Sequence, residues 1–174
     1  MNMPIQVFEN PYITIEQAQA IVNILTHQCA LIERRNTADR VDFPELYDAD
    51  YMKGRMHSDT SAVLAGFQED TNIPGITITK IQYGRIHCQP QLESESAVMQ
   101  IYSSDSSLKT DEIKGKCATY NGDDSNKKFC VFRFRTSSKG HLTGVDLIQF
   151  DANANIIATE TIYKYRARTL RASA

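Results

Sequence analysis

The chain has 174 residues, of which 41% are hydrophobic and 23% charged, and its formal net charge is −2. This composition is typical of one globular domain with a sizeable core, and it argues against wholesale disorder. The small net charge gives no global attraction to nucleic acid or to an anionic membrane. The N-terminal residues show neither a basic region nor a long apolar run, so no secretory signal is expected unless one has been removed. No stretch approaches the ~18 apolar residues of a membrane span, and we expect a cytoplasmic protein.

Residues 1–13 are expected to form an extended arm, and a helix is expected to follow. Thr14 and Gln17 have the spacing of a capping box, which marks a helix start. Six apolar residues then recur at spacings of three and four, namely Ile15, Ala18, Val22, Leu25, Cys29 and Ile32. This stripe predicts a helix to about Arg35 whose apolar face packs on the sheet of its own chain. A coiled-coil dimer is the alternative, but the stripe spans too few heptads to favour it.

Two shorter helices are predicted before the sheet. Residues 36–41 are expected to connect, and Asp42 with Pro44 is typical of a cap and first helical turn. Ser58 or Asp59 is expected to cap a third helix. That helix would carry the apolar residues Ala62, Val63, Leu64 and Phe67, before a turn over residues 72–75.

From Ile76 onward the apolar residues recur mostly at every second position, which predicts strands. Within residues 76–88 the alternation changes phase near Lys80 and again near Gly84. Each change is typical of a β-bulge, so we expect one long, bent strand over this stretch. Bent sheets wrap helices or enclose cavities.

The rest of the chain predicts further strands joined by polar turns. Strands are expected over 97–101, 116–120, 128–136, 141–150 and 156–165. A polar turn over 89–95 precedes the first of them, a Ser-rich loop over 103–109 follows it, and a turn over 121–126 precedes the strand over 128–136. In the strand over 128–136, one face carries Cys130, Phe132 and Phe134, and the other carries Phe129, Val131, Arg133 and Arg135.

These elements predict an α+β fold, with N-terminal helices packed on a bent, mostly antiparallel sheet. We expect one domain over residues 14–166, a basic tail over 167–174, and no parallel β-α-β unit after residue 76. The expected core includes Val22, Leu25, Phe67, Ile81, Phe132, Phe134 and Ile148.

The order of elements over residues 14–166 resembles the nuclear transport factor 2-like cone fold. The likeness is carried by the rhythm of the last strands, residues 129–135, 142–151 and 156–163. The long Ser-rich excursion departs from the usual short turns. In that superfamily the bent sheet forms a cone that holds a small molecule, a peptide or nothing, and members include enzymes and proteins without chemistry. The resemblance therefore implies a fold and no particular activity.

No catalytic, metal or cofactor motif emerges from the sequence. His27 with Cys29, and His87 with Cys88, have spacings at which the two side chains diverge. The local run of His57, Ser58 and Asp59 is explained by helix capping, since Ser/His/Asp triads are assembled from distant segments. The four cysteines, Cys29, Cys88, Cys117 and Cys130, form no C-x-x-C pair and are expected to be buried thiols, with a Cys117–Cys130 bridge as the alternative.

The sheet itself carries the candidate ligand site. Arg133 and Arg135 share a face with Val131, and Asp146 and Glu160 lie on the neighbouring strands, with Tyr83 and His87 as further candidates. Such a set could bind an anion or a polar ligand. The alternative is a solvated ladder of cross-strand ion pairs.

The leading hypothesis is a non-enzymatic protein that uses its bent sheet, or the cavity beneath it, to bind a partner protein or small-molecule ligand. A homodimer would form through the outer sheet face. The alternative is a cone-type enzyme with Asp146, Glu160, His87 or Tyr83 as general acid or base. A nucleic-acid-binding accessory factor of a mobile element would depend on the basic tail alone and is disfavoured.

Overall fold

The computed structural model describes residues 5, 10–46, 59–83 and 87–166. A long helix, α1 (Ile15–Asp42), is followed by a 3-10 turn (Pro44–Leu46) and by helical residues 59–64. The strands are β1 (Thr77–Tyr83), β2 (His87–Glu93), β3 (Ala97–Ser103), β4 (Lys128–Thr136), β5 (Leu142–Phe150) and β6 (Ile156–Lys164), and a second full helix, α2 (Asp111–Tyr120), lies between β3 and β4. The α+β class is confirmed.

The six strands form one sheet in the order β1-β2-β3-β4-β5-β6. Four of the neighbouring pairs are antiparallel, and β3 with β4 is parallel. The mostly antiparallel sheet is therefore confirmed, whereas the expectation of no parallel β-α-β unit is wrong at this one pair. A parallel connection needs a crossover of about a dozen residues or more, which α2 and its flanking loops supply.

The crossover helix replaces the strand that was expected over residues 116–120. Thr110 caps α2 by accepting a hydrogen bond from the Ile113 backbone N–H at 3.3 Å, and Asp111 and Glu112 occupy the first turn. Acidic residues there are stabilised by the helix dipole. Ile113 and Cys117, four residues apart, are its buried positions. This spacing of four is typical of a helix, but the helix has only ten residues, so the pattern in the sequence is short.

The segment 76–88 is a hairpin and not one bulged strand. β1 and β2 pair in continuous register from Thr77 opposite Glu93 to Tyr83 opposite His87, with no bulge at Lys80. The other expected irregularity, near Gly84, falls on residues 84–86, which lie outside the described ranges. The phase change at Lys80 has a different cause, since β1 is an edge strand and Ile81 is only partly buried.

Residues 89–93, expected in a polar turn, belong to β2 and are largely buried. The buried side-chain amide of Gln89 has a hydrogen-bond partner, since it donates to the Ile101 carbonyl at 2.7 Å. The pairing of β2 with β3 stops at Gln91, next to Pro90, which has no N–H to donate.

Helix α1 starts as predicted and ends later. The capping box of Thr14 and Gln17 is present, and the buried stripe is confirmed except at Ile15, which is 44% exposed. The helix runs through residues 36–41, which contain neither Gly nor Pro, and stops before Pro44, whose ring disfavours a helical residue in front of it. The expected connection over 36–41 and the cap at Asp42 are therefore wrong. Of the predicted second helix, Pro44–Leu46 form a 3-10 turn, and the part after residue 46 lies outside the described residues.

Two apolar clusters lie on opposite faces of the sheet. The α1 face, the side covered by α1, packs the helix stripe against side chains that include Met99, Phe132 and Leu147. The α2 face carries the smaller cluster, formed by Val98, Ile113, Cys117, Phe129, Val131, Ile148 and Phe150. The predicted alternation of β4 is confirmed, and every expected core residue is buried apart from Ile81.

Candidate functional site

The space between α1 and the sheet is filled by apolar side chains. Leu25 of α1, Phe67 and Phe132 are each 0% exposed and belong to the same cluster. Tight apolar packing of this kind stabilises a fold and offers no polar group to orient a ligand. Polar candidates of β4 and β5, such as Arg133 and Asp146, lie on the other face of the sheet.

Helix α2 covers only part of the α2 face. α2 packs over the apolar cluster, and beyond the helix the same face turns polar. We call this part the polar patch, and it consists of Tyr102, Arg133, Arg135, Asp146 and Thr161. Three neighbouring strands of the sheet, β4, β5 and β6, position the two arginines, the aspartate and the threonine, so a rigid scaffold holds these four residues.

Asp146 is the buried centre of the polar patch, with only 7% of its surface exposed. Its Oδ1 accepts a hydrogen bond from the Thr161 hydroxyl at 2.8 Å, and its Oδ2 forms an ion pair with the Arg135 guanidinium. Thr161 lies directly opposite Asp146 in the β5–β6 register. The guanidinium of Arg135 crosses Gly144, where a Cβ would overlap it. The absence of a side chain at Gly144 thus makes room for this ion pair.

Arg133 has a different environment from Arg135. It lies opposite Asp146 in the β4–β5 register, but its Nη2 donates to the Ser104 carbonyl oxygen at 2.8 Å. Ser104 belongs to the Ser-rich loop and is fixed by its own N–H, which donates to the Phe134 carbonyl at 2.8 Å. Within the described ranges no carboxylate pairs with Arg133, which is partly exposed. The Ser104 carbonyl therefore holds this charge in place, and no described carboxylate forms an ion pair with it.

Buried amides connect the polar patch to α2. Gln100 is 0% exposed; its Nε2 donates to Glu112 of α2 at 2.8 Å, and its Oε1 accepts from the Tyr102 hydroxyl at 2.9 Å. Lys116 of α2 donates to the Gln91 side chain at 2.7 Å. Sequence reasoning missed these residues, although Gln100 falls on the same face as Val98 in an otherwise apolar strand.

The structure separates the remaining candidates from the polar patch. Glu160 lies opposite Leu147 and so belongs to the α1 face of β6. Tyr83 and His87 lie opposite each other at the end of the β1–β2 hairpin. That hairpin forms the other edge of the sheet. Arg133, Arg135 and Asp146 are thus the three predicted site residues that the fold brings together.

Three of the four cysteines are buried, as predicted from the sequence. Cys29, Cys117 and Cys130 are buried free thiols, and Cys117 and Cys130 belong to clusters on opposite faces of the sheet, so the alternative of a bridge is wrong. Burial raises the pKa of Cys29 and of Cys130 to about 12 and that of Cys117 to about 11. The side chain of Cys88 lies outside the described residues.

Other surfaces of the described chain offer less. Asp59 binds α1, since its carboxylate pairs with Arg35 and accepts from the Asn36 amide at 3.1 Å, while His57 and Ser58 lie outside the described ranges. An open groove of about 630 Å³ runs along the C-terminal half of α1, and its described lining comes from this one helix. Across the residues described, no group of His, Cys, Asp and Glu could hold a metal ion, and no helix is long and apolar enough to cross a membrane.

No protein-family model matches this chain, and no curated protein or solved structure matches it either. The function is therefore inferred from the geometry of its own residues.

Proposed function

We propose that this chain is a non-enzymatic binding protein, and that the polar patch on the α2 face holds an anionic group of a partner protein or small ligand. The observation that carries the proposal is Arg133, a partly exposed guanidinium fixed by the Ser104 carbonyl and left without a carboxylate partner among the described residues. Guanidinium groups bind carboxylates and phosphates through paired, charge-assisted hydrogen bonds. Arg133 is therefore the group that would contact the ligand.

The surroundings of Arg133 support binding by a rigid site. The Asp146 carboxylate is already bonded to both Arg135 and Thr161, so it holds Arg135 in one position beside Arg133. A pre-positioned arginine loses less side-chain entropy when an anion binds. Arg135 would then add positive potential at the rim of the site, while its ion pair with Asp146 stays intact.

The alternative of a cone-type enzyme has less support from the same geometry. A general base must reach the proton that it abstracts, directly or through one water. The two oxygens of Asp146 are occupied, Glu160 lies on the other face, and Tyr83 and His87 belong to the distant edge. The four residues proposed for acid–base chemistry are thus not assembled at one place.

The resemblance to the nuclear transport factor 2-like cone fits one half of the sheet better than the other. The antiparallel run β4-β5-β6 keeps the meander on which the resemblance depends, whereas the parallel pair β3–β4 departs from it. We infer a cone-like sheet whose α1 face is filled and whose ligand site lies on the α2 face. The buried free thiols are consistent with a protein that functions in a reducing compartment such as the cytoplasm.

Nuclear magnetic resonance titration with inorganic phosphate, and separately with acetate, tests the proposal at constant ionic strength against chloride. We expect saturable shifts of the backbone amides of Arg133, Ser104 and Thr161, and we expect Arg133→Gln to abolish them. Lys139→Gln makes the same charge change at an exposed turn and should leave the shifts unchanged. Shifts that do not saturate, or that are equal in Arg133→Gln, would contradict the proposal. A response to only one of the two anions identifies the ligand group.

A further inference from the structure

The C-terminal end of α2 is fastened to the sheet by one side-chain amide. Asn121, the residue that follows the helix, accepts a hydrogen bond from the Phe129 backbone N–H at 2.7 Å through its Oδ1. Its Nδ2 donates to the carbonyl oxygens of Phe129 and Phe150 at 3.2 and 3.1 Å. Phe129 lies near the start of β4, and Phe150 ends β5. We call these three hydrogen bonds the amide clamp, and they join α2 to two strands at once.

The amide clamp requires an amide, because a carboxylate cannot make the same hydrogen bonds. The side-chain amide has two N–H donors, which the two carbonyl oxygens accept, whereas an ionised carboxylate has acceptors only. A carboxylate at position 121 would therefore turn an oxygen towards the carbonyls of Phe129 and Phe150. These two residues are 1% and 4% exposed, so little water can reach the repelling oxygens. A negative charge at this place would oppose closure of α2.

Asn121 is also the only asparagine of the sequence that is followed by glycine. In an Asn-Gly pair the backbone nitrogen of the glycine can attack the side-chain amide with little steric hindrance. The bond from the Gly122 nitrogen to Asn121 Cγ forms, the Cγ–Nδ2 bond breaks, and ammonia leaves with the proton of the Gly122 N–H. Water then opens the cyclic imide at either carbonyl, which gives aspartate or isoaspartate. Water is the only co-reactant.

The closed structure holds Asn121 away from this reaction. Its backbone lies at φ −97° and ψ 6°, and its N–H donates to the Cys117 carbonyl at 2.8 Å. In this near-helical conformation the nitrogen of the next residue is turned away from the side chain, and the amide clamp fixes the amide that would be attacked. Cyclisation therefore requires Asn121 to release its hydrogen bonds and the end of α2 to leave the sheet.

We propose that Asn121 is a site of self-modification that makes the opening of α2 irreversible. When the end of α2 leaves the sheet, Asn121 cyclises on Gly122, and hydrolysis leaves a carboxylate, or an isoaspartate with a lengthened backbone, in place of the amide. Neither product can rebuild the amide clamp, so α2 does not close again over its apolar cluster. This inference is independent of the anion site, since neither residue belongs to the polar patch.

Peptide mapping by mass spectrometry, during incubation at mildly alkaline pH, tests whether opening controls the reaction. Asn121 should convert slowly in the folded wild-type chain and much faster in urea. Gln100→Ala removes the hydrogen bond to Glu112 of α2 and should raise the rate in the folded chain roughly fivefold or more, because more molecules are open. Gly122→Ala should suppress conversion in folded and unfolded chains alike. A Cβ at Gly122 meets no atom within 4 Å, so this variant should stay folded.

Asn121→Asp tests whether the product keeps α2 open. Hydrogen exchange should show lost protection in α2, and Cys117 should be alkylated faster, while Cys130 on the other face stays unreactive. Asn126→Asp makes the same charge change at an exposed position and should alter neither measurement. Asn121→Ala removes the amide clamp without adding a carboxylate, and it should open α2 less than Asn121→Asp does.

Three results would overturn the proposal: conversion of Asn121 as fast in the folded wild-type chain as in urea, an unchanged rate in Gln100→Ala, or wild-type protection of α2 in Asn121→Asp. Complete unfolding of Asn121→Asp would also contradict an effect confined to α2, and circular dichroism detects it. Arg133→Gln should convert at the wild-type rate, so failure of the anion site leaves this inference testable by itself.

Discussion

The two faces of the sheet use the same strands for different purposes. On the α1 face a 28-residue helix covers apolar side chains such as Met99 and Phe132, and Val63, Leu64 and Phe67 belong to the same cluster. On the α2 face a ten-residue helix covers a smaller cluster and leaves the polar patch beside it open. One face therefore supplies most of the stability, and the other is free to carry a site.

This difference follows from how much apolar area each helix can bury. Hydrophobic stabilisation grows with the area removed from water, at about 25 cal/mol per Å². A long helix with a continuous stripe can hold a whole sheet face, whereas α2 has Ile113 and Cys117 as its buried residues and adds hydrogen bonds through Glu112 and Lys116. The cover of the α2 face is therefore the part that should open first.

The sharpest comparison uses two phenylalanines of one strand. Phe132 faces α1 and Phe129 faces α2, and they are 0% and 1% exposed. We expect Phe132→Ala to lower the free energy of unfolding by about 3–5 kcal/mol, as truncation of buried Phe does. Phe129→Ala should cost less, because a cavity under a single short helix can collapse more completely. Urea unfolding measures both, and equal losses would contradict the unequal roles of the two faces.

The hold of α2 on the sheet can be weakened at Gln100. Replacing it with Ala removes its hydrogen bonds with Glu112 and with the Tyr102 hydroxyl, so we expect a loss of about 1–3 kcal/mol, at roughly 0.5–1.5 kcal/mol for each hydrogen bond. Glu112→Gln keeps an acceptor oxygen at the same place and should cost much less. Native-state hydrogen exchange should show the loss chiefly as faster exchange in α2. A loss spread evenly over the sheet would argue that α2 is not a separately opening unit.

The smallest expected difference is in the reactivity of two buried thiols. Their alkylation rates report local opening of the structure and require no substitution. Burial raises the pKa of both Cys117, under α2, and Cys130, facing α1. Both should resist iodoacetamide at pH 8, because only the thiolate is the nucleophile. Cys117 should react first, since local opening of α2 exposes it. Peptide mapping by mass spectrometry gives the two rates separately, and reaction of Cys130 before Cys117 would reverse the proposed order of opening.

Local signals were sufficient for much of the fold. The capping box at Thr14, the helical stripe that follows it and the alternation along residues 128–136 predicted α1 and β4 with their buried faces. The last hairpin followed from two alternating runs around a short turn. Two segments were predicted wrongly because their helical signals were weak. Residues 36–41 are mostly polar and were expected to form a connection, and residues 116–120 were expected to form a strand, but both are helical.

Two properties of the candidate site were decided by tertiary structure alone. The sequence placed Arg133 and Arg135 on one face of β4, but only the pairing of β5 and β6 put Asp146 beside them and left Glu160 on the opposite face. Alternation in a strand does not record its neighbours, their direction or its register, because side chains alternate in the same way in parallel and antiparallel sheets. The burial of Gln100 likewise depended on Glu112 of the crossover helix. The sequence by itself determined which side chains share a face of each strand, whereas long-range pairing decided which helix covers that face and which charges remain in contact with solvent.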